Sequence, residues 1–190
     1  MNDIRIFDIC REGTHVLGPG NRYVIWVQGC DKNCPGCITP ESRNVNGGTE
    51  IKIEYLAADI IMSRHIDGIT ISGGEPFMQA EALSGLLDIV IAARPELTVI
   101  VYSGYLYEHL KSRTTHQALL DRTDILIDGP YIKDLNDNLG IRGSSNQNVI
   151  SLTPRLEKYI NEMKHGKRKI QKILNIDGTC TKIGVPDIVF

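Results

Sequence analysis

The sequence predicts an α/β fold built on a largely parallel sheet, and three observations carry that expectation. Apolar strand-like runs alternate along the chain with stretches of helical periodicity. A chain of 190 residues, 42% apolar and 23% charged, has the balance and the length for one continuous core rather than two. No internal repeat or low-complexity stretch interrupts the pattern.

The elements follow in order. Residues 4–9 lead through Gly18-Pro19-Gly20 into the β-former-rich run 23–27, and these two are expected to pair as neighbouring strands. Residues 29–48 hold prolines, glycines and three cysteines and read as a loop. The spacing predicts a helix over 54–65, a strand over 68–72 and a turn at Gly73-Gly74-Glu75-Pro76. Leu83, Leu86, Leu87 and Val90 fall at helical spacing within a helix over 80–93, which Pro95 ends. A buried strand follows over 97–102, then short helices over 106–111 and 116–121, a strand over 124–127 and a polar, irregular stretch over 134–147.

The tail differs in character. Pro154 opens a helix running to 164, with Gly166 just past its end as a C-terminal cap. Residues 170–176 and 179–185 read as a hairpin around Asp177-Gly178. One domain is expected over 1–190, with a core over about 15–150 and a small helix–hairpin appendage over about 151–190.

A net charge of −2 argues against broad attraction to nucleic acid or anionic lipid. No apolar run is read as approaching the ~20 residues of a membrane span, and the N-terminus lacks the apolar core of a signal peptide. The expectation is a cytoplasmic protein with neither nucleic acid nor membrane as partner.

Five cysteines stand at 10, 30, 34, 37 and 180, an odd count with three of them inside eight residues. That pattern fits metal binding better than a disulfide scaffold. Thiolates suit zinc or iron–sulfur clusters. Structural zinc wants four ligands, commonly as two separated pairs, whereas Cys30, Cys34 and Cys37 form one triplet with no obvious fourth partner. Three thiolates around a cubane cluster leave one iron open to a substrate or cofactor. The plainer alternative is a structural zinc loop or simply buried cysteines; Cys10 and Cys180 read as small apolar fillers.

The C-x3-C-x2-C loop after a first strand, followed one helix later by a strand ending in Gly73-Gly74-Glu75-Pro76, resembles the radical S-adenosylmethionine superfamily. Gly18-Pro19-Gly20, Pro35-Gly36, Ser103-Gly104-Tyr105, Asp128-Gly129 and Arg142-Gly143-Ser144-Ser145-Asn146-Gln147 together look like its small members that activate anaerobic ribonucleotide reductases. The likeness spans roughly 15–150; Gly36, where many superfamily members carry an aromatic residue, is shared with that subfamily. The resemblance implies an incomplete parallel (β/α) barrel, open on one side, with right-handed crossovers.

It also implies cofactors and roles. Cys30, Cys34 and Cys37 would hold a 4Fe–4S cluster whose open iron chelates S-adenosylmethionine, cleaved reductively to methionine and a 5′-deoxyadenosyl radical. Gly73, Gly74 and Glu75 would bring backbone acceptors to the cofactor's ammonium group, the alternative being a tight strand-to-helix turn started by Glu75 and Pro76. Gly36 would offer backbone to the adenine edge. Ser103 would bond the ribose or carboxylate, or be a plain turn serine. Arg142 and Ser145 would line the mouth or hold the carboxylate, or belong to a loop closing the sheet. Asp128 would face the same cavity, or only form a turn before Gly129.

The implied function is a radical oxidoreductase that abstracts hydrogen from a glycine of a glycyl radical enzyme, with flavodoxin or ferredoxin as electron donor. Two alternatives stay open. The tail beyond Val149 fits a free-standing enzyme acting on a peptide or small molecule, and a non-catalytic iron–sulfur or zinc module is the reading from another class. The basic stretch 164–172 is either a docking surface or a solvated face. Tyr23 and Trp26 read as core, and His65, His109 and His116 lack ligand spacing.

Overall fold

The computed structural model describes residues 3–174, 178 and 180–187. A seven-stranded sheet runs in the order β3-β1-β2-β4-β5-β6-β7, formed by β1 (Asp3–Thr14), β2 (Arg22–Val27), β3 (Thr49–Lys52), β4 (Gly68–Gly73), β5 (Thr98–Tyr102), β6 (Ile125–Asp128) and β7 (Asn148–Ser151). Its centre, β2-β4-β5-β6, is parallel, while β1, β3 and β7 add antiparallel pairings at the two sides. The expected α/β class with a mostly parallel sheet is therefore what the chain forms.

Alternation along the strands sorts residues onto two faces. Tyr23, Ile25, Val27, Ile69, Ile71, Val99, Val101 and Leu126 pack with α1 (Ile53–Met62), α2 (Ala80–Ala93) and the flanking helices α3 (Tyr107–Leu110) and α4 (Thr114–Leu120) in the largest core cluster. α2 forms where its apolar spacing predicts, and its Leu83, Leu86, Leu87 and Val90 are fully buried. Each such side chain contributes about 1.5–3 kcal/mol of transfer free energy. By length and composition alone, Pro76–Ala93 is apolar enough to cross a membrane, which corrects the reading of the sequence. In the fold, half of that stretch is buried, as befits a core helix.

The opposite face is covered by the tail. Ile100, Ile125 and Ile127 pack against Leu156 and Met163, the latter on α5 (Ile160–His165). Val24, Leu17 and Cys10 pack against Ile183 and Val185. Ile183 ends β9 (Cys180–Ile183), which pairs antiparallel with β8 (Gln171–Leu174). The expected turn residue Asp177 lies outside the described residues.

Two strands were not foreseen. β3 and β7 are four residues each and largely unburied, so neither carries an apolar alternation; pairing with β1 and β6 creates them. The expected helix over 154–164 divides into a 3-10 stretch, Pro154–Tyr159, and α5. Gly166 does cap α5, but with φ −65° rather than in the left-handed region. A Cβ there would lie 2.5 Å from the Glu162 carbonyl oxygen, so close approach is what demands glycine.

Candidate functional site

The C-terminal ends of the four parallel strands meet at one end of the sheet, the position where open α/β sheets commonly bind ligands. The cysteine loop leaves β2 there. Gly29 N–H donates to Ser42 O (2.7 Å), Cys30 N–H to Arg43 O (3.1 Å), and the Gln28 amide to Glu41 O and Asn44 O (3.1 and 2.7 Å). The loop is thus tied to its own far end by the protein's own hydrogen bonds. Cys30, Cys34 and Cys37 are all free thiols and half-buried. Burial pushes the Cys30 thiol up to about 11, against the opposing effect of the Lys32 N–H that donates to its Sγ at 3.3 Å. A metal is what would convert such a thiol to thiolate at neutral pH.

Cys10 is buried beside Leu17 and Val24, as a filler should be. Cys180 is exposed, which corrects the reading of it as a filler: it sits on the two-stranded hairpin, where half the side chains face solvent.

The Gly73-Gly74-Glu75-Pro76 turn lies against this loop. Gly73 has φ +95°, and a Cβ on it would come within 2.6 Å of Val27 backbone; one on Gly74 would stand 2.2 Å from the Gly29 carbonyl oxygen. Glycine lets the end of β4 press onto β2 at Gly73 and onto the start of the cysteine loop at Gly74. Gly74 N–H donates to Val27 O and Glu75 N–H to Gly29 O, each at 2.8 Å. The Glu75 carboxylate is 1% exposed and accepts from Phe77 N–H (3.0 Å), Ser103 Oγ (2.9 Å) and Gly104 N–H (2.7 Å). Burial raises its pKa to about 7, with those three bonds pulling the other way. Ser103 also accepts the Tyr105 N–H at 3.0 Å, so its hydroxyl is engaged within the protein.

A cavity of about 450 Å³ opens between the cysteine loop and the tail, within the ~300–1,000 Å³ range of small-molecule sites. It brings together Cys30, Cys34, Cys37, Gly73, Gly74, Glu75 and Ser103. Trp26, read as core, does pack against the core cluster under the tail and also lines the cavity, because even-numbered β2 residues face away from the helices. Gly143 and Gln147 also line it; Gln147 accepts from Gly143 N–H and donates to Gly129 O, both at 2.8 Å. The tail supplies Ile170 and residues 181–186.

Four expected residues do not line the cavity. Asp128 is buried in capping, accepting from Tyr107 N–H (2.6 Å) and the Asn148 amide (2.8 Å). Arg142 pairs with Asp137 (2.6 Å) and donates to Ser145 O (2.9 Å), while Ser145 is exposed and its N–H donates to Leu135 O (2.7 Å). Gly36 is exposed with φ +71°, a left-handed turn that glycine permits, and faces the Lys133 side chain.

The donor set fits a cubane cluster. Three soft thiols line one cavity together with Gly73 and Gly74, where the chain runs without side chains. Among the described residues, no three His, Cys, Asp or Glu side chains gather around a single-ion position. Cluster ligands bind different irons and need not do so.

The model of a 4Fe–4S single-cluster domain matches residues 16–150. The chain belongs to that family. Its relatives include the anaerobic ribonucleoside-triphosphate reductase-activating proteins of bacteriophage T4, 34% identical over 76% of this chain and 92% of theirs, and of Escherichia coli K12, 33% identical over 70% and 90%. The pyruvate formate-lyase-activating enzyme of Clostridium pasteurianum is 32% identical over 63% of this chain and half of its own length. The resemblance carried by the cysteine loop and the glycine turn is thereby shown, and with it an enzyme of the radical S-adenosylmethionine activating type that uses a 4Fe–4S cluster.

Sequence reading missed several contributors to this 4Fe–4S domain. Lys32 and residues 181–186 carry no motif, and Gln147 was seen only as part of a polar signature. Arg22 is fully buried, donating to Thr70 Oγ1 (3.1 Å), Thr98 Oγ1 (2.6 Å) and the Ile69 and Thr98 carbonyls. The β-propensity of the surrounding run conceals that charge. Gly18 packs over its side chain, a physical reason for the Gly18-Pro19-Gly20 signature.

Proposed function

We propose that this protein generates a radical on a glycine of a partner enzyme, an anaerobic ribonucleotide reductase being the first choice. The observation that carries this reading is the shared cavity, where the thiols of Cys30, Cys34 and Cys37 open onto the same space as Gly73 and Gly74. When bound, the cluster supplies an electron to S-adenosylmethionine, whose cleavage yields methionine and the 5′-deoxyadenosyl radical that takes the hydrogen. The chain's own residues hold and orient. Cys30, Cys34 and Cys37 would hold three irons of the cluster, and Gly73 and Gly74 would offer backbone acceptors to the cofactor's ammonium group. Phe7, Trp26 and Ile38 line the cavity with apolar surface that limits water.

Several further points belong to this reading. The sheet is an incomplete (β/α) barrel, supported by the parallel order β2-β4-β5-β6 with its helices in one core cluster. The chain is one domain, because the tail packs on the same sheet. A cytoplasmic location fits five free thiols, and flavodoxin or ferredoxin is the donor class. A free-standing enzyme for a peptide or small molecule is the second reading, favoured by the tail's closing one wall of the cavity.

The test is anaerobic. Protein reconstituted with iron and sulfide, given S-adenosylmethionine and dithionite, is expected to release 5′-deoxyadenosine, and a partner reductase added to it to show a glycyl radical by electron paramagnetic resonance. Cleavage without a radical on the reductase favours the second reading. A fully loaded protein that never cleaves the cofactor would sink both.

A further inference from the structure

Two residues inside the cysteine loop have no ligand role, yet both are fastened to a single residue outside it. The Tyr105 hydroxyl donates to the Asp31 carboxylate, and the Lys32 Nζ stands 3.8 Å from the centre of the Tyr105 ring. Tyr105 is itself held: its N–H donates to Ser103 Oγ at 3.0 Å, and Ser103 is bound in turn to Glu75. Its carbonyl accepts from Gly129 N–H at 3.0 Å. Gly104 leaves room for the Lys32 stem, since a Cβ there would lie 3.2 Å from Lys32 Cγ.

The consequence falls on Cys30. With its side chain stacked on Tyr105, Lys32 presents its backbone N–H to the Cys30 Sγ at 3.3 Å. Lys32 also lines the cavity, its ammonium held over the Tyr105 ring as a cation set among the carboxylates Asp31 and Glu75 that act on Cys30. Hydrogen bonds to ligand sulfur and nearby positive charge both favour the more negative, reduced state of an iron–sulfur cluster.

We propose that Tyr105 is a positioning residue that sets the cluster's reduction potential by clamping Asp31 and Lys32. It acts through Lys32 and touches no reacting atom. This inference rests on the functional reading above and adds to it how this chain keeps its cluster reducible.

The experiment is a redox titration of the reconstituted holoprotein, following the reduced cluster by electron paramagnetic resonance. Tyr105→Phe loses the Asp31 bond but keeps a ring under Lys32; Tyr105→Leu loses both. The expected midpoint order is wild type highest, Tyr105→Phe lower and Tyr105→Leu lowest, at equal iron and sulfide content. Lys32→Met, which keeps the backbone N–H but removes the cation, is expected to fall below wild type as well, and serves if Tyr105→Leu does not assemble. Wild-type midpoints in loaded Tyr105→Phe and Lys32→Met would overturn the inference. A wild-type protein with no reducible cluster would instead strike the functional reading itself.

Discussion

The Glu75 carboxylate accepts the Ser103 hydroxyl at 2.9 Å and so joins the turn after β4 to the loop after β5. With Gly104 N–H and Phe77 N–H also donating to it, the carboxylate is a cross-link rather than a group reaching into the cavity. Glu75→Gln keeps the size but replaces one acceptor oxygen with a donor, leaving an N–H or the hydroxyl facing NH2. Above pH ~7, where the side chain is ionised, a loss of about 1–3 kcal/mol is expected, read from urea unfolding of the metal-free protein. Unchanged stability would mean the cross-link carries no weight.

The same group gives stability a pH dependence of defined sign. Burial raises the Glu75 pKa from 4.5 to about 7, so between those values the folded state holds a proton that the unfolded state has lost. Its contribution is therefore greatest below pH ~4.5 and falls as pH rises toward ~7, by on the order of 3 kcal/mol at most. Glu75→Gln removes this one component. The expected result is a flatter stability profile across that window than wild type shows.

How much of this was legible in the sequence depends on how local the signal is. α2 and the parallel strands carry their own periodicity, and the C-x3-C-x2-C spacing brings its thiols to one loop whatever surrounds it. β3 and β7 exist only through partners far along the chain. Glu75 was read for its place in a motif, but its bond to Ser103 spans 28 residues and has no sequence signature. The Arg142–Gln147 signature was recognised as a unit, while only the fold could separate Gly143 and Gln147, at the cavity, from Arg142 and Ser145, which are not.

The thiols divide sharply. Alanine at Cys30, Cys34 or Cys37 is expected to reduce bound iron and sulfide severely and to abolish 5′-deoxyadenosine formation. Alanine at buried Cys10 or exposed Cys180 is expected to leave both intact. Metal analysis and product assay on the five variants check this, and cluster loss in Cys10→Ala with the fold preserved would reassign the ligands.

Two glycines make opposite predictions. Gly85 lies in the interior of α2, and a Cβ there meets only Ile53 Cδ1 at 3.7 Å, so Gly85→Ala should stabilise by about 0.5–1 kcal/mol. Gly74→Ala would place its Cβ 2.2 Å from the Gly29 carbonyl and must push the turn off the cysteine loop. It is expected to lower both melting temperature and cluster loading. Equal behaviour of the two variants would contradict the close-approach account.

Arg168 tests how the tail is attached. It belongs to the basic run read as either a docking surface or a solvated face, yet it is 8% exposed. It donates to Leu139 O (3.0 Å), Arg142 O (2.8 Å), Asn136 Oδ1 (2.7 Å) and Pro186 O (3.2 Å). One side chain thus binds both the loop below the cavity and the end of its tail wall. Arg168→Met keeps much of the apolar stem and removes every donor, leaving buried carbonyls without partners; a cost of about 2–4 kcal/mol follows. Lys167 and Lys169, both exposed, are expected to tolerate methionine with changes within about 0.5 kcal/mol. Hydrogen exchange should localise the effect of Arg168→Met to residues 136–142 and 180–187. If exchange there is unchanged, the tail is held by its apolar contacts through Leu156, Met163, Ile183 and Val185, and the guanidinium is incidental to the cavity wall.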